Sequence, residues 1–196
     1  MNLSEQTNTQ TITLKEQATN NIKDLHGTGI DFVLMDGTLL GAYRDKDFCE
    51  GDEDDIDIGI LDKDYDIDSK LLTEKLEALG FERYKDLVYK DRVEGFGIRR
   101  GGNHIDVIRI NKHPIREEFY NLGRTGDGTK IMAFVYPSYE GFGDIEFKGL
   151  KFKIPKDTEI FLEARYGNWK KKISRPNFDW CTQSNNDSIK EDYDIL

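Results

Sequence analysis

The run Asp52-Glu53-Asp54-Asp55-Ile56-Asp57-Ile58-Gly59 constrains this chain more than any other stretch. Side chains on a strand alternate between its two faces, so Asp55 and Asp57 share one face while Ile56 and Ile58 share the other. The isoleucines demand a core behind them, which fixes the acidic pair on a rigid element. Two carboxylates side by side repel, and a divalent cation is the usual means of neutralising such a pair. A packed strand carrying Asp-x-Asp is therefore a candidate metal site for phosphoryl chemistry.

The bulk composition narrows the setting. The chain has 196 residues, long enough for one domain with a real core, and 37% hydrophobic residues with 11% aromatics fit a soluble globular protein. Twenty-eight basic residues against 38 acidic ones leave a net charge of -10. That balance argues against nucleic acid or an anionic membrane as a generic partner, because both require a basic surface. Cys49 and Cys181 lie far apart and make no zinc spacing, so free thiols in a reducing compartment are the default. Met1 to Thr13 has no apolar core of a signal peptide, and no stretch approaches the roughly 18 apolar residues of a membrane span. These features predict a cytoplasmic protein without an integral membrane segment.

Periodicity and turn residues divide the chain. Residues 1–13 read as a disordered N-terminus, 14–181 as one α/β domain, and 182–196 as a loose tail. Helices are predicted over 14–27, from Gly37 to Tyr43, from Asp68 to Leu79 and from Thr158 to Tyr166. The third would bury Leu71, Leu72, Leu76 and Leu79. Strands are predicted at 32–35, 55–61, 81–90, 94–100 and 103–110, with extended chain at 130–136 and 142–154. The segment 115–124 reads as helical.

Three elements combine. The apolar run Phe32–Met35 leads into Gly37-Thr38 at a helix start, where backbone N–H groups can cradle phosphate. Asp55-x-Asp57 supplies paired metal ligands. Ile105-Asp106-Val107 places one further acid on a later strand with apolar neighbours on either side. That ordered set resembles the nucleotidyltransferase pattern of the DNA-polymerase-β type.

The resemblance is more particular in Asp36-Gly37-Thr38-Leu39-Leu40-Gly41-Ala42-Tyr43-Arg44, followed by Glu53-Asp54-Asp55-Ile56-Asp57-Ile58-Gly59-Ile60. These segments resemble the signature of the LicD/fukutin family, and Phe161 to Trp169 is similar to that family's Tyr-Gly-x-Trp region. Gly51-Asp52 stands where the family usually has Pro-Trp, and Glu53 replaces the usual first Asp. The resemblance implies a polymerase-β-like α/β fold, with a mixed, mostly antiparallel sheet flanked by helices. It implies Mg²⁺-dependent transfer (Mn²⁺ being the alternative cation) of a phospho-alcohol from a CDP-linked donor to a glycan or other sugar-containing acceptor. Under that reading Asp55, Asp57 and Asp106 are catalytic and, with Glu53, ligate the metal. Gly37 and Thr38 hold donor phosphates, Arg44 offsets developing phosphate charge, and Tyr166 and Trp169 bind substrate.

Two other functions share these residues: transfer of NMP from an NTP to a small molecule, sugar or protein, and a non-catalytic nucleotide-binding module. An EF-hand fails because Ile58 occupies the position that its loop needs for glycine. Phe32 to Leu39 mimics a haloacid-dehalogenase-type phosphatase, but Leu34 stands where the nucleophilic Asp belongs, and a hydrocarbon forms no aspartyl phosphate. Asp62, Asp64, Asp66 and Asp68 read as a solvated turn and helix N-terminus. Arg99-Arg100 reads as a charged hairpin tip, and Lys170-Lys171-Lys172 as a solvated helix end. His104 is expected at a strand edge without a catalytic role.

Overall fold

The computed structural model describes residues 12–124, 130–137, 141–173 and 189–190. Helix α1 (Leu14–Gly27) opens with a capping box: the Glu16 N–H donates to Thr13 Oγ1 and the Thr13 N–H donates to Glu16 Oε2. Ala18, Ile22 and Leu25 recur at helical spacing and are buried without exposure. The two-residue strand β1 (Val33–Leu34) leads into the short helix α2 (Asp36–Leu40) and a π-helical turn (Gly41–Asp45). Strand β2 (Asp55–Leu61) follows, with Ile56 and Ile58 fully buried, as the alternation requires.

Helix α3 (Asp62–Ala78) starts six residues earlier than predicted and buries Tyr65, Ser69, Leu72 and Leu76. Leu71 and Leu79 lie outside that stripe, 40% and 47% exposed. The early start has a physical cause. Acids are favoured in a first helical turn, and the buried guanidinium of Arg109 donates to Asp62 Oδ1 at 2.8 Å and to Asp66 while lying 4.1 Å over the Tyr65 ring. These two aspartates, expected in solvent, anchor the helix to the sheet.

Strands β3 (Glu82–Tyr89), β4 (Arg92–Arg100) and β5 (Asn103–Lys112) form an antiparallel meander. The segment expected to be helical contains instead β6 (Glu118–Arg124), paired along its length with β7 (Ile131–Pro137). Tyr120 and Leu122 of β6 pack with Ala133 and Val135 of β7 in a small second cluster. That cross-strand burial overrides the weak helical pattern. A hairpin of β8 (Phe142–Phe147) and β9 (Leu150–Pro155) precedes helix α4 (Thr158–Tyr166). Ile189–Lys190, within the predicted tail, form strand β10 against β7. Cys181 and residues 1–11 lie outside the described residues.

The strand order is β10-β7-β6-β5-β2-β1-β9-β8, with β4 and then β3 extending from β5 along a second branch. Among the described residues only β2–β5 and β1–β9 pair in parallel, so the sheet is mixed and mostly antiparallel. No helix among the described residues is long and apolar enough to cross a membrane.

Candidate active site

The parallel pairing of β2 with β5 builds the site. Its register sets Asp57 beside Asp106 and Asp55 beside His104, which places all four side chains on one face. Each of Asp55, Asp57 and Asp106 offers a carboxylate oxygen, and these oxygens lie within 4.8 Å of one another. The opposite face presents Ile56, Ile58, Ile105 and Val107, all fully buried. A core on one side and three acids on the other is the arrangement that the alternation in sequence predicts.

The joint between β1 and α2 clamps Asp57. The Gly37 N–H donates to Asp57 Oδ2 at 3.0 Å, Thr38 Oγ1 accepts the Asp57 N–H at 2.9 Å, and the Met35 N–H donates to the Asp57 carbonyl at 3.1 Å. A Cβ on Gly37 would stand 2.5 Å from Asp52 Oδ2 and 3.3 Å from Asp57 Oδ2, so only glycine fits beneath these carboxylates. The helix start predicted to cradle donor phosphate thus spends the Gly37 N–H on a carboxylate. Thr38, 1% exposed, supports the metal-site strand from behind and does not line the cavity.

Burial, followed by the charges of Asp55, Asp36, Asp106 and Asp52, holds the Asp57 carboxyl well above the usual carboxylate range. Such a concentration of negative charge, with oxygen donors only, fits a hard divalent cation. Glu53, expected as a fourth ligand, stands outside the triad, and its carbonyl accepts from Asn103 Nδ2 at 2.9 Å.

These carboxylates open into a cavity of about 860 Å³. Arg44, Tyr166 and Trp169, which the sequence offers as substrate-binding candidates, are among the residues that line it. Arg44 is already engaged: Nε and Nη2 grip Asp45, and Nη1 donates to the Trp169 carbonyl at 3.1 Å. It ties the turn after α2 to the chain after α4. Trp169 meets the Tyr43 ring edge-on at 5.7 Å and is largely buried. Lys172 pairs with Asp45 at 2.8 Å while its side chain stays 73% exposed.

Four residues of the site were passed over in reading the sequence. Arg165 is 5% exposed, lines the cavity, donates from Nε to Asp36 Oδ1 at 2.9 Å and lies 4.2 Å over the Phe134 ring. Burial works against its charge, but Asp36 outweighs it and holds the pKa above the ordinary value. Asp36 itself carries a positive φ of 37°, a strained position for a non-glycine residue at the head of α2. Asp52 lies against Gly37 and adds to the charge around Asp57. Lys85 reaches Asp106, with Nζ 3.0 Å from Oδ2. Both Asp36 and Arg165 stand within segments that the sequence singles out, so their signal was present.

Other candidates resolve simply. Burial pushes the Cys49 thiol up to about 12, so it is neutral, and it donates to the Gly37 carbonyl. Arg99 pairs with Glu82, while Arg100 donates to Asn21 and Asp24 and covers the Phe81 ring. His104 packs beside Tyr84, ring centroids 5.4 Å apart.

Comparison with known proteins follows from this geometry. No curated protein matches the chain. A solved structure, that of ANT(2'')-Ia in complex with adenylyl-2''-tobramycin, is similar over 76% of this chain and 75% of that one, at 14% identity and a TM-score of 0.46. Residues 29–157 match the family model described as LicD/FKTN/FKRP, nucleotidyltransferase domain. That span holds the joint at Gly37, the Asp55-x-Asp57 strand and Asp106, and the chain belongs to the LicD/FKTN/FKRP family.

Proposed function

We propose that the protein is an Mg²⁺-dependent phosphotransferase. It moves a phospho-alcohol, phosphocholine or an alditol phosphate, from a CDP-activated donor to a glycan or other sugar-containing acceptor. One observation carries this reading: in a chain of this family, three carboxylates converge within 4.8 Å at the wall of a cavity large enough for a nucleotide-linked donor.

Asp55, Asp57 and Asp106 would hold the cation, and Mn²⁺ suits the same oxygen set. When bound, the cation would neutralise phosphate charge and orient the reacting groups. Gly37 and Thr38 keep Asp57 in place: the Gly37 N–H donates to its carboxylate and Thr38 Oγ1 accepts its backbone N–H. Arg165, buried and aimed along the cavity wall, supplies fixed positive charge toward an anionic donor, with Asp36 setting its direction. Tyr166 and Trp169 offer aromatic surface for a base or sugar. In the transfer, an acceptor hydroxyl oxygen bonds to the phosphorus bearing the alcohol. The bond from that phosphorus to the bridging oxygen breaks, CMP leaves, and the hydroxyl proton passes to Asp106.

Product analysis tests the reading against nucleotidyl transfer, because the metal ligands serve both. Incubation with CDP-choline or CDP-ribitol, a sugar acceptor and Mg²⁺ is expected to release CMP. Release of pyrophosphate from CTP or ATP instead would establish NMP transfer. Ligand binding without turnover of any donor would leave a nucleotide-binding module.

A further inference from the structure

We propose that Lys85 is the resident counter-cation of the acidic triad, a tethered competitor that a divalent ion must displace. The inference rests on the metal-dependent reading above and concerns how that site is kept before a metal arrives.

Three observations place Lys85 there. The β3–β4 register slips between Arg83 and Lys85, a bulge that lets Tyr84 and Lys85 share a face. Arg83 points the other way, its guanidinium 4.0 Å over the Phe96 ring, while Tyr84 packs on His104 of the acidic face. The bulge therefore turns Lys85 away from the face that Arg83 occupies and toward the carboxylates.

Register then aligns Lys85 with Gly97, and Gly97 with Asp106, in a row across three strands. A Cβ on Gly97 would stand 2.5 Å from Lys85 Cε, 2.7 Å from Lys85 Cγ and 2.7 Å from Tyr84 Cε1. The lysine stem thus lies flat across β4 in a lane that exists because residue 97 has no side chain. At its end, Nζ stands 2.9 Å from Asp106 Oδ1 and 3.0 Å from Oδ2. Oδ2 accepts a hydrogen bond from the ammonium, while Oδ1, buried and without a hydrogen-bond partner, stands within ion-pair distance of it.

The arrangement has a clear electrostatic logic. Three clustered carboxylates destabilise the metal-free fold, and a lysine that reaches in lowers that repulsion. A divalent ion arriving at Asp106 meets a positive charge only a few ångströms away, so Lys85 must swing out for Asp106 to ligate. Its side chain is 49% exposed, which leaves it room to do so. The displaced ammonium still lines the cavity, where an anionic donor enters.

The test is Mn²⁺ binding to the full chain, followed by calorimetry and by the electron paramagnetic resonance signal of free Mn²⁺. Lys85→Met removes the competitor. Gly97→Ala keeps the lysine and blocks its lane, the new Cβ meeting the Lys85 stem and the edge of the Tyr84 ring rather than backbone. Both variants are expected to bind Mn²⁺ more tightly than wild type, by about three- to tenfold given the screening at a half-exposed site. Both should melt lower than wild type without metal and gain more on its addition. Asp57→Asn in either background should abolish binding. Equal or weaker Mn²⁺ affinity in folded Lys85→Met and Gly97→Ala overturns the role of Lys85 and leaves the proposed function standing. Failure of every form, wild type included, to bind Mn²⁺ overturns both.

Discussion

Asp57→Asn is expected to make the metal-free protein more stable while removing its function. The carboxylate oxygens of Asp55, Asp57 and Asp106 lie within 4.8 Å of one another. At that separation, and with an effective dielectric of about 20, each like-charge pair costs about 3.5 kcal/mol. Lys85 offsets part of the charge on Asp106, and protonation of Asp57 caps the rest. The amide keeps an oxygen to accept the Gly37 N–H, so little is lost in exchange. A net gain of about 1–3 kcal/mol follows, which for a chain of this size is a melting temperature higher by about 5 °C. The pH dependence has a definite sign. The folded-state pKa of Asp57 is raised above the ordinary value of 3.8, so the native state holds this proton more tightly than the unfolded chain. Wild-type stability from this group is full below that value and falls as pH rises through the raised pKa. The advantage of Asp57→Asn should therefore be large at pH 8, shrink on acidification, and vanish near the ordinary carboxylate pKa. The assay is thermal or urea unfolding in EDTA across that range, repeated with excess Mg²⁺. At about 100 times its dissociation constant, Mg²⁺ should stabilise wild type by about 2.7 kcal/mol and the variant not at all. A metal-free Asp57→Asn protein that melts below wild type at pH 8, or whose advantage ignores pH, would refute the reasoning.

Other perturbations separate support of the fold from support of the chemistry. Arg165→Met leaves Asp36 without its guanidinium and should lower stability by about 3–5 kcal/mol in urea unfolding, with Asp36→Asn in the same chain restoring part of the loss. Gly37→Ala and Gly41→Ala should behave differently. At Gly37 the new Cβ meets carboxylate oxygens, so turnover and Mn²⁺ affinity should fall at least about tenfold while the far-ultraviolet circular dichroism is kept. At Gly41 it would stand 2.5 Å from the Asp47 carbonyl and 2.8 Å from the Cys49 N, so soluble yield should collapse. Thr38→Val removes the acceptor of the Asp57 N–H and should cost about 1–3 kcal/mol in a melt, with a fall in kcat larger than any change in KM.

What the sequence disclosed tracks the range of the forces involved. Helix α1 and strand β2 are legible because burial on one face imposes a period of 3.6 or 2 on neighbouring residues. Their predicted bounds, 14–27 and 55–61, are the observed ones. Strand β6 was read as helix because its burial depends on β7, and Tyr120 or Leu122 alone cannot show that partnership. The start of α3 was missed for a similar reason: the acids at Asp62 and Asp66 look solvated until Arg109 arrives from β5. The triad was legible as acids alternating with β-branched residues on two strands, since one face of each strand had to be core. Lys85 was not, because the bulge that aims it is a mismatch between two strands and has no local signature. Arg165 was legible too, since it stands inside Phe161 to Trp169, and its guanidinium lines the cavity in an ion pair with Asp36.

The placement of charge around the cavity says what must enter it together. Carboxylates outnumber cations along the lining, and three of them crowd within 4.8 Å. Arg165 is committed to Asp36, Arg44 to Asp45, and Lys85 to Asp106. A diphosphate would meet net repulsion on such a surface, so its affinity depends on the cation that neutralises the triad. By linkage, the donor must raise the affinity of the cation by the same factor. Under the proposed function, selection among donors would fall to parts of the wall outside the acidic triad, such as Leu122 and Arg124 of β6 and Phe134 of β7. Under the proposed function the acidic triad would fix where phosphorus reacts, and exchange of side chains on the β6–β7 wall is expected to change which alcohol is carried.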